Sequence, residues 1–232
     1  MSAANYVAHF GLGAAPFVKE IGDIDLWLPP SKSEIVEGLV EAADERENGL
    51  LVGEPGAGKT CVLRALRQRL QGPRYRLTYN HNSTLGKRDF YRQLCVALGL
   101  TPSATAAAVF YAVSTHVQQL GQERVHPVFL LDEAHLLHPD TLDHLHILLN
   151  YEWDSRALLS LFLVGLTDLV DRLTLRRHRS LYSRISRRFV ITPLTADDTA
   201  DYLRFRLKLA GCERDLFADD AKGLLHEHAQ GT

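Results

Sequence analysis

Eight residues, Gly53-Glu54-Pro55-Gly56-Ala57-Gly58-Lys59-Thr60, constrain this chain more than any other stretch. They fit the pattern G-x-x-x-x-G-K-[ST] at every fixed position and follow the apolar run Leu50-Leu51-Val52. Glycines at those places let backbone N–H groups wrap an anion at a helix N-terminus, where the dipole favours negative charge. The pattern gives Lys59 the β- and γ-phosphates of a nucleotide and the Thr60 hydroxyl a Mg²⁺ ion. Both flanks agree with it: Leu50 to Val52 reads as a buried parallel strand, and Val62, Leu63, Leu66 and Leu70 recur at helical spacing.

A second signal has the same chemistry. Val128-Phe129-Leu130-Leu131 is an apolar run that ends in Asp132-Glu133, which places two carboxylates at the C-terminal tip of a buried strand. In phosphate-loop ATPases such a pair organises the Mg²⁺ shell (Asp132) and polarises the attacking water (Glu133). The nucleotide-binding set is then Gly53, Glu54, Pro55, Gly56, Ala57, Gly58, Lys59, Thr60, Cys61 and Asp132, with Thr60 and Asp132 on the metal. A third strand is predicted over Ala157 to Val164, and Thr167 beyond it is placed to touch the γ-phosphate or the attacking water.

The rest of the chain alternates in type. Residues 1–30 read as an irregular segment whose aromatics pack over the nucleotide domain. Ser31 or Ser33 is predicted to cap the next helix, with Glu34 completing a capping box with Ser31. Strands are predicted at Tyr75 to Tyr79 and Phe189 to Thr192. Helices are predicted from Asp89 to Leu98, Ser103 to Leu120, Pro139 to Asn150 and Phe217 to His228, and one more begins at Thr195 as its cap. Alternation of this kind predicts an α/β fold, a parallel sheet sandwiched by helices, with the last two helices as a small lid. The implied domains are an N-terminal segment (1–30), a nucleotide-binding core (31–194) and a partial lid (195–232).

Composition excludes some classes. With 46% hydrophobic and 23% charged residues the chain can bury a full core, and a formal charge of −2 excludes a wholesale polycation. No apolar run approaches the ~20 residues that span a bilayer, so no membrane contact and a cytoplasmic location are expected. Three cysteines lack metal-like or redox-like spacing. His144 and His146, two apart on a helix, do not face the same way, which argues against a zinc site. Asp132-Glu133-Ala134-His135 spells a helicase box, but the residues after it are too few for a second lobe.

Taken together, these residues resemble an AAA+ ATPase, and within that class the ExeA-like ATPases and the TnsC/TniB-type transposition regulators. The likeness runs from Phe10-Gly11-Leu12 and Pro16-Phe17 through Gly53 to Thr60, Leu131 to His135, Asn150 to Ser155, Leu163-Val164-Gly165 and Ser183-Arg184-Ile185 to Pro193-Leu194. The resemblance implies ATP and Mg²⁺ as ligands, and a homo-oligomer, ring or helical filament, in which Arg184 reaches the neighbouring subunit's nucleotide as an arginine finger. Arg179, Arg187 and Arg188 are alternatives in a stretch, Arg172 to Arg188, that holds seven arginines and no acid. It further implies sequence-nonspecific contact with duplex DNA through the loop Ser83 to Arg88, with Thr84, Lys87 and Arg88 on phosphates. The partner would be a transposase or target-selection protein in DNA transposition and recombination; the alternative is an ExeA-like ATPase of secretion or envelope assembly acting on proteins. Two departures stand out. Leu166 occupies the place where the family has a polar sensor, and the sequence ends at Thr232 where a Pro-Arg sensor pair would begin.

Overall fold

A computed structural model describes residues 3–18, 20–81, 86–103, 105–151 and 155–232. In chain order the elements are α1 (Ala3–Phe10), α2 (Pro30–Asp44), β1 (Asn48–Gly53), α3 (Lys59–Arg69), β2 (Tyr75–Asn80), α4 (Lys87–Ala97), α5 (Ala106–Gln122), β3 (His126–Leu131), α6 (Pro139–Leu148), β4 (Ser160–Gly165), α7 (Asp168–Thr174), α8 (Arg179–Tyr182), β5 (Ile185–Ile191), α9 (Ala196–Leu209) and α10 (Asp219–Ala229). The five strands form one sheet in the order β2-β3-β4-β1-β5, and every pairing is parallel.

The sequence explains which strands are central. The three continuous apolar runs are β1, β3 and β4, and their side chains alternate between two cores. Leu50, Val52, Phe129, Leu131, Leu161 and Leu163 face a core closed by α4 to α8. Leu51, Val128, Leu130, Phe162 and Val164 face a second core closed by α2 and α3. The edges are β2 and β5, the strands that carry Arg76, Arg187 and Arg188, because an edge strand can turn polar side chains outward.

Several expected boundaries move. No Ser31 capping box forms: α2 starts with Pro30 at its first turn behind an extended Pro29, with no side-chain cap, because the fixed φ of proline already suits that position. The capping box is found instead at α9, where Thr195 accepts from the Asp198 N–H and Asp198 accepts from the Thr195 N–H. Strand β4 begins at Ser160 rather than Ala157, where the ladder with β3 starts at the Val128–Ser160 pair; Leu158 and Leu159 are buried ahead of it without pairing. Strand β5 begins four residues earlier than Phe189, with Ser186, Arg188 and Val190 on its exposed alternation and Arg187 partly covered on the other face.

The N-terminal segment also departs from expectation. Residues 3–10 are helical, and Phe10 and Phe17 remain exposed. What is buried is Leu12, against Leu207, Ala210 and Cys212 of α9 and its end. Gly13 N–H donates to Ala210 O (2.7 Å), and Arg206 Nε donates to Pro16 O (2.7 Å). Further on, Arg64 of α3 bonds Asp23 at 2.6 Å and Trp27 lies 5.6 Å from the Tyr202 ring. The segment therefore straps α9 to α3. Among the described residues no helix is long and apolar enough to cross a membrane.

One buried histidine makes stability pH-dependent. His126, at the start of β3, bonds Ser160 Oγ at 2.9 Å, and burial lowers its pKa to about 4. Between that value and the ordinary 6.5 the unfolded chain binds a proton that the folded chain refuses, so stability falls as pH drops through this window. Chemical denaturation should lose on the order of 3 kcal/mol from this group between pH 7 and pH 4, and His126→Gln should flatten that part of the profile.

Candidate active site

Because all strands are parallel, their C-terminal ends share one edge, where ligands of open α/β sheets bind. Val52 pairs with Gly165 and Leu131 with Leu163, so the segments after β1, β4 and β3 leave the sheet side by side. A cavity of about 480 Å³ lies there, bordered by Pro55, Gly56, Gly58, Lys59, Thr60, Glu133 and Leu166.

The loop after β1 owes its shape to glycine at two kinds of position. Gly56 and Gly58 have φ of +80° and +98°, a region open to glycine at little cost. At Gly53 the need is space, because a Cβ would sit 2.8 Å from Ile191 O of the neighbouring strand. Ala57 is fully buried in the core beneath the loop, and α3 starts at Lys59. Lys59 Nζ donates to Gly53 O (2.7 Å) and Glu54 O (3.0 Å), closing the loop on itself. Glu54 Oε1 also accepts from Thr167 Oγ1 at 2.6 Å, which ties the loop to the segment after β4. Thus Leu166, not Thr167, borders the cavity, while Thr167 reaches it through Glu54.

The two acids after β3 have different environments. Asp132 is buried; its Oδ1 accepts from the Glu133 N–H (2.9 Å) and its Oδ2 from the Tyr79 hydroxyl (2.8 Å). Burial, and then the bond to Asp132, raise the Tyr79 pKa and keep the phenol a donor. Tyr79 was not among the predicted site residues; the signal for it is its register beside Leu130, one pair before the strand tip. Glu133 is exposed at the cavity rim and adopts φ +51°, a left-handed conformation that costs a non-glycine residue about 1–3 kcal/mol. His135 packs between the strand tips: its Nδ1 accepts from the Leu166 N–H at 3.3 Å and lies 3.5 Å from Glu133 Oε2. That acceptor role leaves the ring proton on Nε2. A Cβ on Gly165 would meet the same Nδ1 at 3.1 Å.

Arg184 is elsewhere. It immediately precedes β5, whose first residue pairs with Asn48 at the entry end of β1, whereas the loop leaves the exit end. With six residues in β1, Arg184 lies about 17–20 Å from its own chain's loop. Asn48 fixes this corner: its Nδ2 donates to Arg184 O (3.0 Å) and its Oδ1 accepts from Leu161 N–H (2.9 Å). Of the alternative arginines, Arg187 is held by Glu47 (2.5 Å) and Glu45 (2.6 Å), and Arg188 lies 4.0 Å over the Tyr182 ring. Arg179 is exposed on α8. Lys87 and Arg88 open α4 and are exposed; Thr84 lies outside the described residues.

Gly53→Ala should force β5 away from β1. Its thermal unfolding should shift downward by the equivalent of about 1–3 kcal/mol, whereas unchanged unfolding would mean that the strands do not approach this closely.

Comparison with known proteins agrees with this geometry. The family described as AAA domain matches residues 42–173. General secretion pathway protein A of Aeromonas hydrophila is 31% identical over 229 residues, 97% of this chain, which spans 42% of that protein's length. Among solved structures, Cdc6p of Pyrobaculum aerophilum superposes with a TM-score of 0.66 at 19% identity, over 88% of this chain and 58% of that one. The Aeropyrum pernix ORC1 protein in complex with DNA gives 0.57 at 22% identity, over 79% and 50%. The Thermotoga maritima RuvB Holliday junction branch migration motor gives 0.55 at 19% identity, over 87% and 56%. With its five parallel strands, glycine loop and acid-tipped third strand, this chain belongs to the AAA domain family and is an AAA+ ATPase.

Proposed function

We propose that this ATPase is a self-associating, nucleotide-gated regulator that holds duplex DNA without reading its sequence and recruits or activates a transposase while ATP is bound. The observation that supports it most is a division of parts: among the described residues lysine, hydroxyl and carboxylate border one cavity and no arginine does, and Arg184 stands at the far end of the same sheet. A subunit stacked on another could thereby bring Arg184 to its neighbour's nucleotide.

The residues of the cavity suit a triphosphate with a divalent cation. The loop offers glycine N–H groups and a lysine whose partners among the described residues are the carbonyls of Gly53 and Glu54, and Asp132 stands at the adjoining strand tip with a hard oxygen donor set. Thr60 and Asp132 would hold Mg²⁺, which neutralises charge on the transferring phosphoryl group. Lys59 would exchange its carbonyl partners for phosphate oxygens. Tyr79 and the Glu133 N–H keep Asp132 oriented, and Glu133, lifted out by its left-handed backbone, would orient the attacking water. Thr167 would sense the γ-phosphate indirectly, because any shift of Glu54 on nucleotide binding breaks or remakes their hydrogen bond. Arg184 in trans would stabilise negative charge that develops in the transition state, worth ~10³–10⁵ in related systems.

Lys87 and Arg88 lie exposed at the start of α4, close after the exit end of β2, and residues of these types grip phosphates without reading bases. A second reading is favoured by the named relative. The likeness to a general secretion pathway protein fits an ATPase that remodels protein partners in secretion or envelope assembly.

Mixing Arg184→Ala with Lys59→Ala should restore ATP turnover that neither variant has alone, since a mixed pair contains one complete composite site; a mixture as inactive as its parts would place Arg184 outside the neighbour's site. Wild-type protein should bind duplex DNA at moderate salt only with a non-hydrolysable ATP analogue, and Lys87→Ala with Arg88→Ala should abolish that binding. DNA binding kept by the double variant would remove the loop from the interface, and no DNA binding by the wild type would favour the secretion reading.

A further inference from the structure

Away from the nucleotide cavity, an opening of about 450 Å³ lies where the N-terminal halves of α4 and α5 meet α6. It is bordered by Lys87 and Tyr91 of α4, Ala106, Ala107, Phe110 and Tyr111 of α5, and His144 of α6. Among the described residues it shares no wall with the nucleotide cavity, and its size falls in the range of ligand pockets, ~300–1,000 Å³. The sequence makes it from unequal side chains. Ala106 and Ala107 leave room where α5 begins, and the rings of Tyr91, Phe110 and His144 pack edge to face, with centroids 5.5 Å (Tyr91 to Phe110), 5.4 Å (Tyr91 to His144) and 5.1 Å (Phe110 to His144) apart. The Tyr91 hydroxyl lies 3.0 Å from His144 Nδ1, so these two polar groups of the floor are bonded to each other. Tyr111, by contrast, is 72% exposed, a large aromatic left in water at the rim. Among the described residues no acid borders the opening and its one cation is Lys87, near enough that its charge adds to burial in holding His144 below its ordinary pKa.

We propose that this opening is a docking site for a protein partner: it takes one aromatic or leucine-like side chain of a peptide segment, whose neighbouring carboxylate meets Lys87. This rests on the reading that the ATPase acts on a protein partner, and it holds for a transposase and for a secretion protein alike. An apolar occupant is favoured because the walls are methyl groups and rings and the polar atoms of the floor already serve each other. Tyrosine at such a rim is a common anchor of protein interfaces, because it adds a large contact area at little entropic cost. A carboxylate is selected because no acid in the wall answers Lys87. Single-stranded nucleic acid suits the opening less, since stacked bases come with a backbone that needs a row of cations, and one lysine stands here.

Random dodecapeptides displayed on phage, selected on the full wild-type chain, supply the probe, and an enriched peptide is then titrated against wild type, Ala107→Trp and Tyr111→Ala. Ala107→Trp fills the opening from an exposed position, and Tyr111→Ala removes the rim ring; both keep Lys87, the residue proposed for duplex phosphates. Enriched peptides should share an aromatic or leucine side chain next to an acid. Their affinity should fall tenfold or more in Ala107→Trp and threefold or more in Tyr111→Ala, and exchanging the peptide's acid for its amide should cost threefold or more. Both variants should keep the wild-type melting temperature and ADP affinity, since neither residue borders the nucleotide cavity. A consensus without an acid overturns the proposal, as do peptides that bind the variants as tightly as wild type; the latter would leave the protein-partner reading standing while this site falls. Absence of any enriched peptide counts against both. An oligothymidylate strand that binds wild type but not Ala107→Trp would mark a base pocket and overturn the peptide. Should Ala107→Trp fail to fold, Tyr111→Ala is judged alone by the same criterion.

Discussion

The approach of β1 to β5 at Gly53, too close for a side chain, is the contact on which the site depends. It ends the strand where backbone alone can turn, and the turn presents the backbone N–H groups that we propose hold an anion. Ala57 anchors the loop from below in the core shared by α2 and α3, and Lys59 closes it from above through two carbonyls. The loop is therefore shaped before any ligand arrives, which lowers the entropic cost of binding. Parallel pairing of β1, β4 and β3 then delivers Leu166 and Glu133 to the same cavity without long excursions of chain.

Two adjacent carboxylates are given different work by their surroundings. Asp132 is enclosed and accepts hydrogen bonds from a phenol and a backbone amide, so its carboxylate oxygens are fixed in direction. Glu133, one residue on, stands at the rim on a strained backbone. Local strain at such a place persists only where the neighbours over-determine it; His135, packed between Gly165 and Leu166, lies 3.5 Å from the Glu133 carboxylate. The bond between Thr167 and Glu54 joins this half of the site to the loop, which gives the segment after β4 a direct route to report what the loop holds.

Much of this was legible in the sequence, and for particular reasons. The glycine loop and the acid-tipped strand carry fixed chemistry at fixed spacing, and the three apolar runs could only be central strands of a parallel sheet. Side-chain contacts across elements were not legible. Tyr79 reaches Asp132 only through the β2–β3 register, and Tyr91 meets His144 only through the packing of α4 beside α6. The Ser31 cap failed because Pro30 already satisfies the helix start. The N-terminal aromatics misled because Leu12, not they, is the buried residue, and its partner is α9, far along the chain. Among the arginines, composition marked a basic stretch, but only ion pairs showed Arg187 engaged with Glu45 and Glu47.

The central claim is that one nucleotide is held jointly by the turn after β1 and the tips of β3 and β4, with the remaining charge supplied by another copy. A crystal structure with magnesium and a non-hydrolysable ATP analogue measures this directly. The account predicts triphosphate density along Gly56 to Thr60, the γ-phosphate between Lys59 and Glu133, and the metal on the Thr60 and Asp132 side. Density for the analogue outside this cavity, or a γ-phosphate remote from Glu133, would contradict it.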